Sequence, residues 1–272
     1  MNLLSVLLKR RLSRLATKVA RQYSRWNSGG KSRARVGLSS ETTQWLKQNR
    51  HERMDASVEL FDEKRRKFHL DRYRFAAQRV HEKRVLDCAS GTGYGGRILR
   101  EEGDASAVIG IEIDKKAVEY ANKKHAVERT SFICASGGHM PIPDGFVDIV
   151  TSFETVEHVP DDAALIAEFH RVLRPRGLLI ISTPNQWPVA VSPFHVREYD
   201  RSSFMKALET WFECIDLYNQ NSGTDSPYNH DQSAGIVETT PENAPLAECY
   251  IAVCRRKIVM SETLIESEAA LR

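Results

Sequence analysis

"RVLDCASGTGYGGRIL", residues 84–99, is the stretch on which the reading of this chain turns. A short apolar strand runs into a glycine turn, and the turn opens a helix at "GGRIL". The glycines admit two spellings. Gly91, Gly93 and Gly96 give G-x-G-x-x-G, a dinucleotide turn, whereas Asp87, Ala89, Gly91 and Gly93 give an acid, a small residue and Gly-x-Gly. The first spelling offers helix N–H groups to an anionic pyrophosphate. The second places a carboxylate at the mouth of the turn, where a cationic ligand is favoured.

The surrounding pattern supplies the frame. A helical stretch at residues 57–80, with Phe61, Phe68, Tyr73 and Phe75 as anchors, precedes the turn. Apolar strands follow at "AVIGIEID", "TSFICAS", "FVDIVTSFE" and "GLLIISTPN". Between them lie the helical segments "KKAVEYANKKH", with Asp114 as N-cap, and "DDAALIAEFHRVLRPRG". A helix at "DRSSFMKALETWF" leads to two last strands, "ECIDLYNQ" and "AECYIAVCRR", joined by a long polar stretch at 220–246. Alternating helices and near-continuous apolar strands predict an α/β fold with a parallel sheet covered on both faces. The polar stretch predicts an antiparallel hairpin at the end.

Charge separates the two ligands of the glycine turn. S-adenosylmethionine (SAM) has no phosphate and carries a sulfonium and an ammonium, so Asp87 suits it and would repel a nearby pyrophosphate. Glu112, at the end of the second strand, can accept from both ribose hydroxyls in either case. The local reading favours SAM, with an NAD(P)-dependent oxidoreductase as the rival.

The ordered set "VLDCASGTGYG", "VIGIEID", "MPIPDGFVDIVTSFETVEHV" and "LRPRGLLIISTPN" resembles the class I SAM-dependent methyltransferases over residues 68–256. The resemblance implies a doubly wound, Rossmann-like sheet of seven strands, mostly parallel, with an antiparallel C-terminal strand. It also implies SAM as cofactor and S-adenosyl-L-homocysteine (SAH) as product. Asp87, Ala89, Ser90, Gly91, Gly93 and Tyr94 would line the methionine end, Glu112 would hold the ribose, and Ile113 would pack on adenine. Phe153 and Glu154 would border the methionine portion. The third strand ends in Ser136 where many relatives have an Asp, so Ser136 and Gly137 are adenine contacts or simply a turn that bonds its own backbone.

"ISTPNQ" with "SPFHVREYDRSSFMKAL" is similar to a subgroup associated with bacterial polysaccharide and lipopolysaccharide biosynthesis, which implies a sugar hydroxyl as acceptor. Hydroxyl methylation needs a route for the proton. His158 and His195, both beyond carboxyl ends of strands, are the candidate catalytic bases, and Arg197, Glu198 and Tyr199 are candidate acceptor contacts. No metal is favoured. Glu154, Glu157, His158 and His195 form an alternative divalent set, which resembles metal-using O-methyltransferases of RNA ends and quinone precursors. A non-catalytic SAM-binding membrane scaffold is a further alternative.

Composition bounds the rest. The 272 residues carry a net charge of +3, which gives no global case for nucleic acid. Residues 1–40 nevertheless hold ten Lys and Arg and no acid. Residues 1–26 fit an amphipathic helix with Leu4, Leu8, Leu12, Leu15 and Val19 opposite Arg10, Arg11, Arg14, Lys18, Arg21 and Arg25. An anionic membrane surface, docking on protein, or a mitochondrial transit signal would each use such a face. The expected location is cytoplasmic and peripheral at the inner membrane surface, or mitochondrial in a eukaryote. Residues 27–56 form a linker and helical lead-in, 57–258 the catalytic domain and 259–272 a tail. Five scattered cysteines with no C-x-x-C argue against a disulfide framework or zinc knuckle and for a reducing compartment.

Overall fold

The structure is a computed structural model that describes residues 38–49, 53–186, 189–192, 194–223 and 234–258. The basic leader, residues 27–37 and 50–52 of the linker and lead-in, and the C-terminal tail lie outside the described residues. No described helix is long and apolar enough to cross a membrane.

The helices are α1 (Ser40–Gln48), α2 (Glu63–Ala77), α3 (Tyr94–Glu101), α4 (Lys115–Lys124), α5 (Asp162–Val172) and α6 (Arg201–Glu209). The strands are β1 (Arg84–Cys88), β2 (Ala107–Glu112), β3 (Thr130–Cys134), β4 (Val147–Phe153), β5 (Leu173–Pro184), β6 (Phe212–Asn221), β7 (Gly235–Glu238) and β8 (Cys249–Arg256). They form one sheet in the order β3-β2-β1-β4-β5-β8-β6-β7. β1 to β5 pair in parallel, while β8 runs antiparallel to both β5 and β6. The expected doubly wound sheet and closing antiparallel strand are both present. The short edge strand β7 makes eight strands rather than seven, because part of the polar 220–246 stretch folds back to pair with β6.

Strand alternation sorts the core onto two faces. Leu86, Ile109, Ile111, Val150, Leu179 and Ile181 pack with α5 and α6, where Phe169 and Phe204 are fully buried. Val85, Val108, Ile149 and Ile180 point the other way, toward Tyr73, Phe75 and Leu99 of α2 and α3. A one-residue slip would exchange these sets, so the register is strongly fixed. Aspartates at N-caps start four helices. Asp62, Asp114, Asp161 and Asp200 each accept a backbone N–H of the first turn.

Two boundaries differ from expectation. "LRPRG" was expected to end α5 but begins β5, since Pro175 forces Arg174 into extended backbone. Residues 57–61 are turns rather than helix, and α2 starts after its Asp62 cap. The packing also reaches ahead of residue 57. Asp55 is fully buried and accepts from Ser57, Tyr120 (2.7 Å) and His125 (2.8 Å), with Lys124 at 3.2 Å. Burial alone would raise its pKa, but these bonds outweigh it and hold the carboxyl well below the usual range.

The order of strands reverses between β1 and β4, each of which leads away from the other's flank. That divergence at the carboxyl ends is where open α/β sheets bind ligands. At this point α2 crosses α3 closely. A Cβ on Gly95 would fall 2.0 Å from the Tyr73 ring, so the two helices touch only because Gly95 has no side chain. Gly95→Ala is expected to lower stability by about 1–3 kcal/mol, the usual range for overpacking. Denaturant unfolding measures it, and an unchanged midpoint would show that Tyr73 can move aside freely.

Candidate active site

The glycine turn does what its spelling requires. Gly91 and Gly93 have φ of 53° and 88°, left-handed values that glycine adopts without strain, and Gly93 is the N-cap of α3. A Cβ on Gly93 would also meet Ala121 at 2.6 Å and Phe132 at 2.8 Å. Gly96 packs against the Phe132 ring, which fits a role in helix–sheet contact. Ala89 and Glu154 lack glycine's freedom yet hold φ of 58° and 51°, one just beyond β1 and the other just beyond β4. Each of the two strand ends that frame the site thus carries one non-glycine residue in left-handed backbone.

Asp87 lies at the floor. It is fully buried, accepts 2.8 Å from the Thr151 hydroxyl, and lies 3.3 and 3.4 Å from the Tyr73 hydroxyl. Burial pushes its pKa up to about 7, against the opposing pull of the Thr151 and Tyr73 hydrogen bonds. Tyr73 stands edge-on to Tyr94 and Phe153, with centroids at 5.4 and 4.9 Å, so three aromatic rings cluster over the acid. The faces of such rings favour a cation placed over them.

Glu112 closes the opposite side. Its two oxygens accept from the Gly91 N–H (3.0 Å) and the Asp114 N–H (2.9 Å), which pins the end of β2 to the turn. Lone pairs remain for a ribose diol. Arg53 approaches Glu112 and Asp114 at 3.6 and 3.5 Å, and the Thr92 hydroxyl donates to the Met54 carbonyl. The segment ahead of α2 is thereby strapped across the turn. Ile113 is 68% exposed beside Glu112, an apolar platform open to a flat ring. Ser90 is buried, and Ser136 is exposed and accepts from Gly138 N–H at 3.3 Å, the self-bonding turn that was its alternative reading. Gly137 lies against Cys88 and Leu165, where a Cβ would not fit.

Two residues not among the site candidates complete this half. Tyr73, expected only as a packing anchor, is one, described above. Arg72 is the other: its side chain is 1% exposed, donates to Gln220 at 3.1 Å and lies 3.3 Å from Glu154. Its two terminal nitrogens make no hydrogen bond, which leaves them able to meet a ligand carboxylate. Both sit within "FHLDRYRF", which lacks a clear apolar stripe, so no periodicity marks them out.

The catalytic candidates form a separate group. His158 and His195 meet edge to face at 4.7 Å, and Glu157 and both histidines each offer a ligand atom within 4.8 Å of the others. Glu154 does not join them. Its carboxylate is turned to Arg72, Ser182 (3.1 Å) and Cys249 (3.2 Å), which removes it from the four-residue set considered from sequence. Arg197 and Tyr199 are fasteners rather than open acceptor contacts. Arg197 donates to the carbonyls of Val156, Val159 and Pro160, and the Tyr199 hydroxyl bonds Asp162. Glu198 caps the Val189 N–H at 2.8 Å. The loop after β5 is held in this way onto the loop after β4.

The family model described as "Methyltransferase domain" matches residues 86–181, from β1 into β5. An S-adenosylmethionine-dependent methyltransferase of Mycolicibacterium smegmatis is 32% identical over 144 residues, covering 51% of this chain and 54% of that one. Residues 86–181 match the methyltransferase-domain family, and the similar chains support a class I SAM-dependent methyltransferase. The family's cofactor is SAM, and the glycine turn is read accordingly rather than as a dinucleotide site. A malonyl-[acyl-carrier protein] O-methyltransferase of Laribacter hongkongensis is 32% identical over 109 residues, or 37% of either chain. A chain of the Haloferax volcanii complex between the Trm112 methyltransferase activator and a methyltransferase shares the fold. Its TM-score is 0.59 at 16% identity, with 82% of this chain and 100% of that chain covered. The chain spans about half the length of the first curated relatives it matches.

With SAM as cofactor, Asp87 and the aromatic cluster would suit its cationic groups, Glu112 its ribose and Arg72, if freed from Glu154, its carboxylate. A cationic ligand favours the ionised form of Asp87. With a pKa of about 7, SAH affinity is expected to be constant above that pH and to fall toward tenfold per unit below it. Titration calorimetry from about pH 8 to 6 reads this, and Asp87→Asn should bind weakly with no such slope. A wild-type affinity that rises on acidification would contradict the assignment.

Proposed function

We propose that this chain transfers the methyl group of SAM to a hydroxyl of a sugar, glycan or other small-molecule acceptor. The observation that carries the reading is the cluster of Glu157, His158 and His195 in the loops beyond β4 and β5. Glu157 lies in the short turn Val156–His158, three residues after Glu154, and burial first, then the charge of Glu154, push its carboxyl well above the usual range. When bound, SAM supplies a methyl group on a sulfonium that departs as a neutral thioether.

The protein's own contribution is positional and protonic. Arg72, Glu112 and the aromatic cluster over Asp87 fix the cofactor's ends. Positioning of this kind accounts for much of the rate when the leaving group is already good. An acceptor hydroxyl must also lose its proton, and the chain concentrates groups for that purpose in one place. His158 Nδ1 donates to the Phe194 carbonyl at 3.0 Å, because a carbonyl only accepts, so its Nε2 keeps the lone pair in the neutral ring. That nitrogen faces the cluster rather than solvent alone. The Val196 N–H donates to the Glu157 carbonyl at 2.9 Å, which holds His195 in place opposite it.

An amine acceptor would need no such cluster to the same degree. The malonyl relative is by name an O-methyltransferase. The similarity of "ISTPNQ" and "SPFHVREYDRSSFMKAL" to enzymes of polysaccharide biosynthesis supports a sugar among hydroxylated acceptors. We assign the basic leader to contact with an anionic membrane surface, where a lipid-linked glycan would be presented to a cytoplasmic enzyme.

Mass spectrometry of glycans and lipids from cells with and without the gene tests the function. One species is expected to lose the mass of a methylene, and the wild-type gene should restore it. A His158→Ala/His195→Ala double variant should not restore it, and should lose about a hundredfold or more in rate while still binding SAH. Full restoration by that variant would remove the cluster from the chemistry.

A further inference from the structure

We propose that Cys214 and Cys254 are an oxidisable dithiol, which a peroxide converts to a disulfide joining β6 to β8. The two residues lie directly opposite each other in the antiparallel pairing of those strands. Both side chains are on the sheet face covered by α5 and α6, packed in one apolar cluster with Phe204 and Phe212. Directly opposed residues in such a pair have Cα atoms about 4.5 or 5.5 Å apart. A disulfide bridges Cα separations of about 4.4–6.8 Å, so the register meets its requirement without backbone movement.

The sulfurs are in contact. The Cys254 thiol donates a hydrogen bond to Cys214, whose own S–H is directed to the Asp216 carbonyl at 3.4 Å. The other three cysteines face different partners across the sheet. Cys88 lies opposite Ile111 and Ser152, Cys134 opposite Glu112, and Cys249 opposite Pro184 and Gln220.

The two thiols differ, and the difference sets the order of reaction. Cys214 is half-buried on the part of β6 that precedes its pairing with β7 at Tyr218–Asn221. A bulge at Ile215 follows it directly, and that side chain is 41% exposed. Bulges bend a strand and open its ladder locally. Cys254 is fully buried, so a small oxidant meets Cys214 first. The hydrogen bond from Cys254 lowers the Cys214 pKa. Partial burial and Asp216 oppose that shift, and Arg201 at the start of α6 assists it. The same bond, with burial, pushes the Cys254 thiol well above its usual range. A more readily ionised, reachable thiol set against a protonated neighbour is the arrangement of a reactive and a resolving cysteine.

The chemistry then runs in two steps. The Cys214 thiolate attacks one peroxide oxygen, the O–O bond breaks, and the departing hydroxide takes up the Cys214 proton as water. The Cys254 sulfur next attacks the resulting sulfenic sulfur. An S–S bond forms, the S–O bond breaks, and hydroxide leaves as water with the Cys254 proton. Two thiols and one peroxide give one disulfide and two waters; the sulfurs are oxidised and the peroxide oxygens reduced. Cys254 stands five residues along β8 from Cys249, which meets Glu154, and that is about 17 Å at the usual rise of a strand. The modification therefore lies away from the cofactor site and stands or falls independently of the function proposed above.

Reduced full-length protein is treated with hydrogen peroxide under conditions that preserve its native circular dichroism, and catalase ends the reaction. Thiols counted after denaturation are expected to fall by two from the original five. The monomer's mass should drop by about two units, the two hydrogens lost in forming a disulfide, and dithiothreitol should restore it. Peptide fragmentation should join Cys214 to Cys254. Cys214→Ala should abolish the cross-link. Cys254→Ala should leave a Cys214 sulfenic acid that dimedone labels and that the wild type does not accumulate. Should Cys254→Ala fail to fold, Cys214→Ala at the start of β6 carries the test with the wild type. Five thiols remaining after excess peroxide overturn the proposal. So do oxidation that stops on Cys214 in the wild type, a disulfide between other cysteines, and a cross-link formed only in protein that has lost its native spectrum.

Discussion

The burial of one carboxyl group organises the site. Asp87 ends β1 at the reversal of strand order, with no exposed surface and hydroxyls of Thr151 and Tyr73 against it. A buried acid is costly, and the fold meets that cost by bringing two hydroxyls from separate elements to it. Thr151 comes from the neighbouring strand β4. Tyr73 comes from α2, which can reach only because Gly95 on α3 leaves the room its ring occupies. The same contact seats Arg72, one residue earlier, against Glu154 and Gln220. A single polar requirement at the strand end thus sets the position of a helix, an aromatic cluster and a buried guanidinium.

The second half of the site is built on a different principle. The loop beyond β5 leaves Val189, Phe194 and Val196 partly exposed, and polar bonds to backbone hold it. Arg197 spans three carbonyls of the loop beyond β4, and the Tyr199 hydroxyl reaches Asp162 at the start of α5. These ties carry His195 to His158 across a separation of 37 positions in the chain. Cofactor-side charges are thereby kept apart from the acid–histidine group. Glu154, at a left-handed φ between the two halves, is turned to Arg72 and away from the histidines.

Much of this was legible in the residues. The glycine turn, the apolar strands and the Asp caps are local signals, and the structure has them where the pattern places them. Asp87 and Glu112 follow from strand ends and ligand charge. The closing antiparallel strand came from the family resemblance together with the polar stretch before it. What stayed hidden was non-local. Pro175 should have ended α5 sooner, since the residue before a proline resists helix, yet the charged "LRPRG" read as a helix end. Strand β7 is four residues in a polar stretch and has no periodicity to announce it. Tyr73 and Arg72 owe their roles to the approach of α2 to α3, which a single sequence does not encode in spacing. Arg197 looked like an acceptor contact because its carbonyl partners lie some forty residues earlier. Glu154 shared a helical spacing with Glu157 and His158, but the short turn there does not keep it on their face.

The central claim is that the acid-led glycine turn is built for a cationic nucleoside and not for a pyrophosphate. Direct calorimetric titration of the purified chain with SAH, and separately with NAD⁺ and NADP⁺, tests this most simply. The account requires saturable binding of one equivalent of SAH, undisturbed by excess dinucleotide. Saturable binding of NAD⁺ or NADP⁺ that displaces SAH, or occurs in its place, would contradict it.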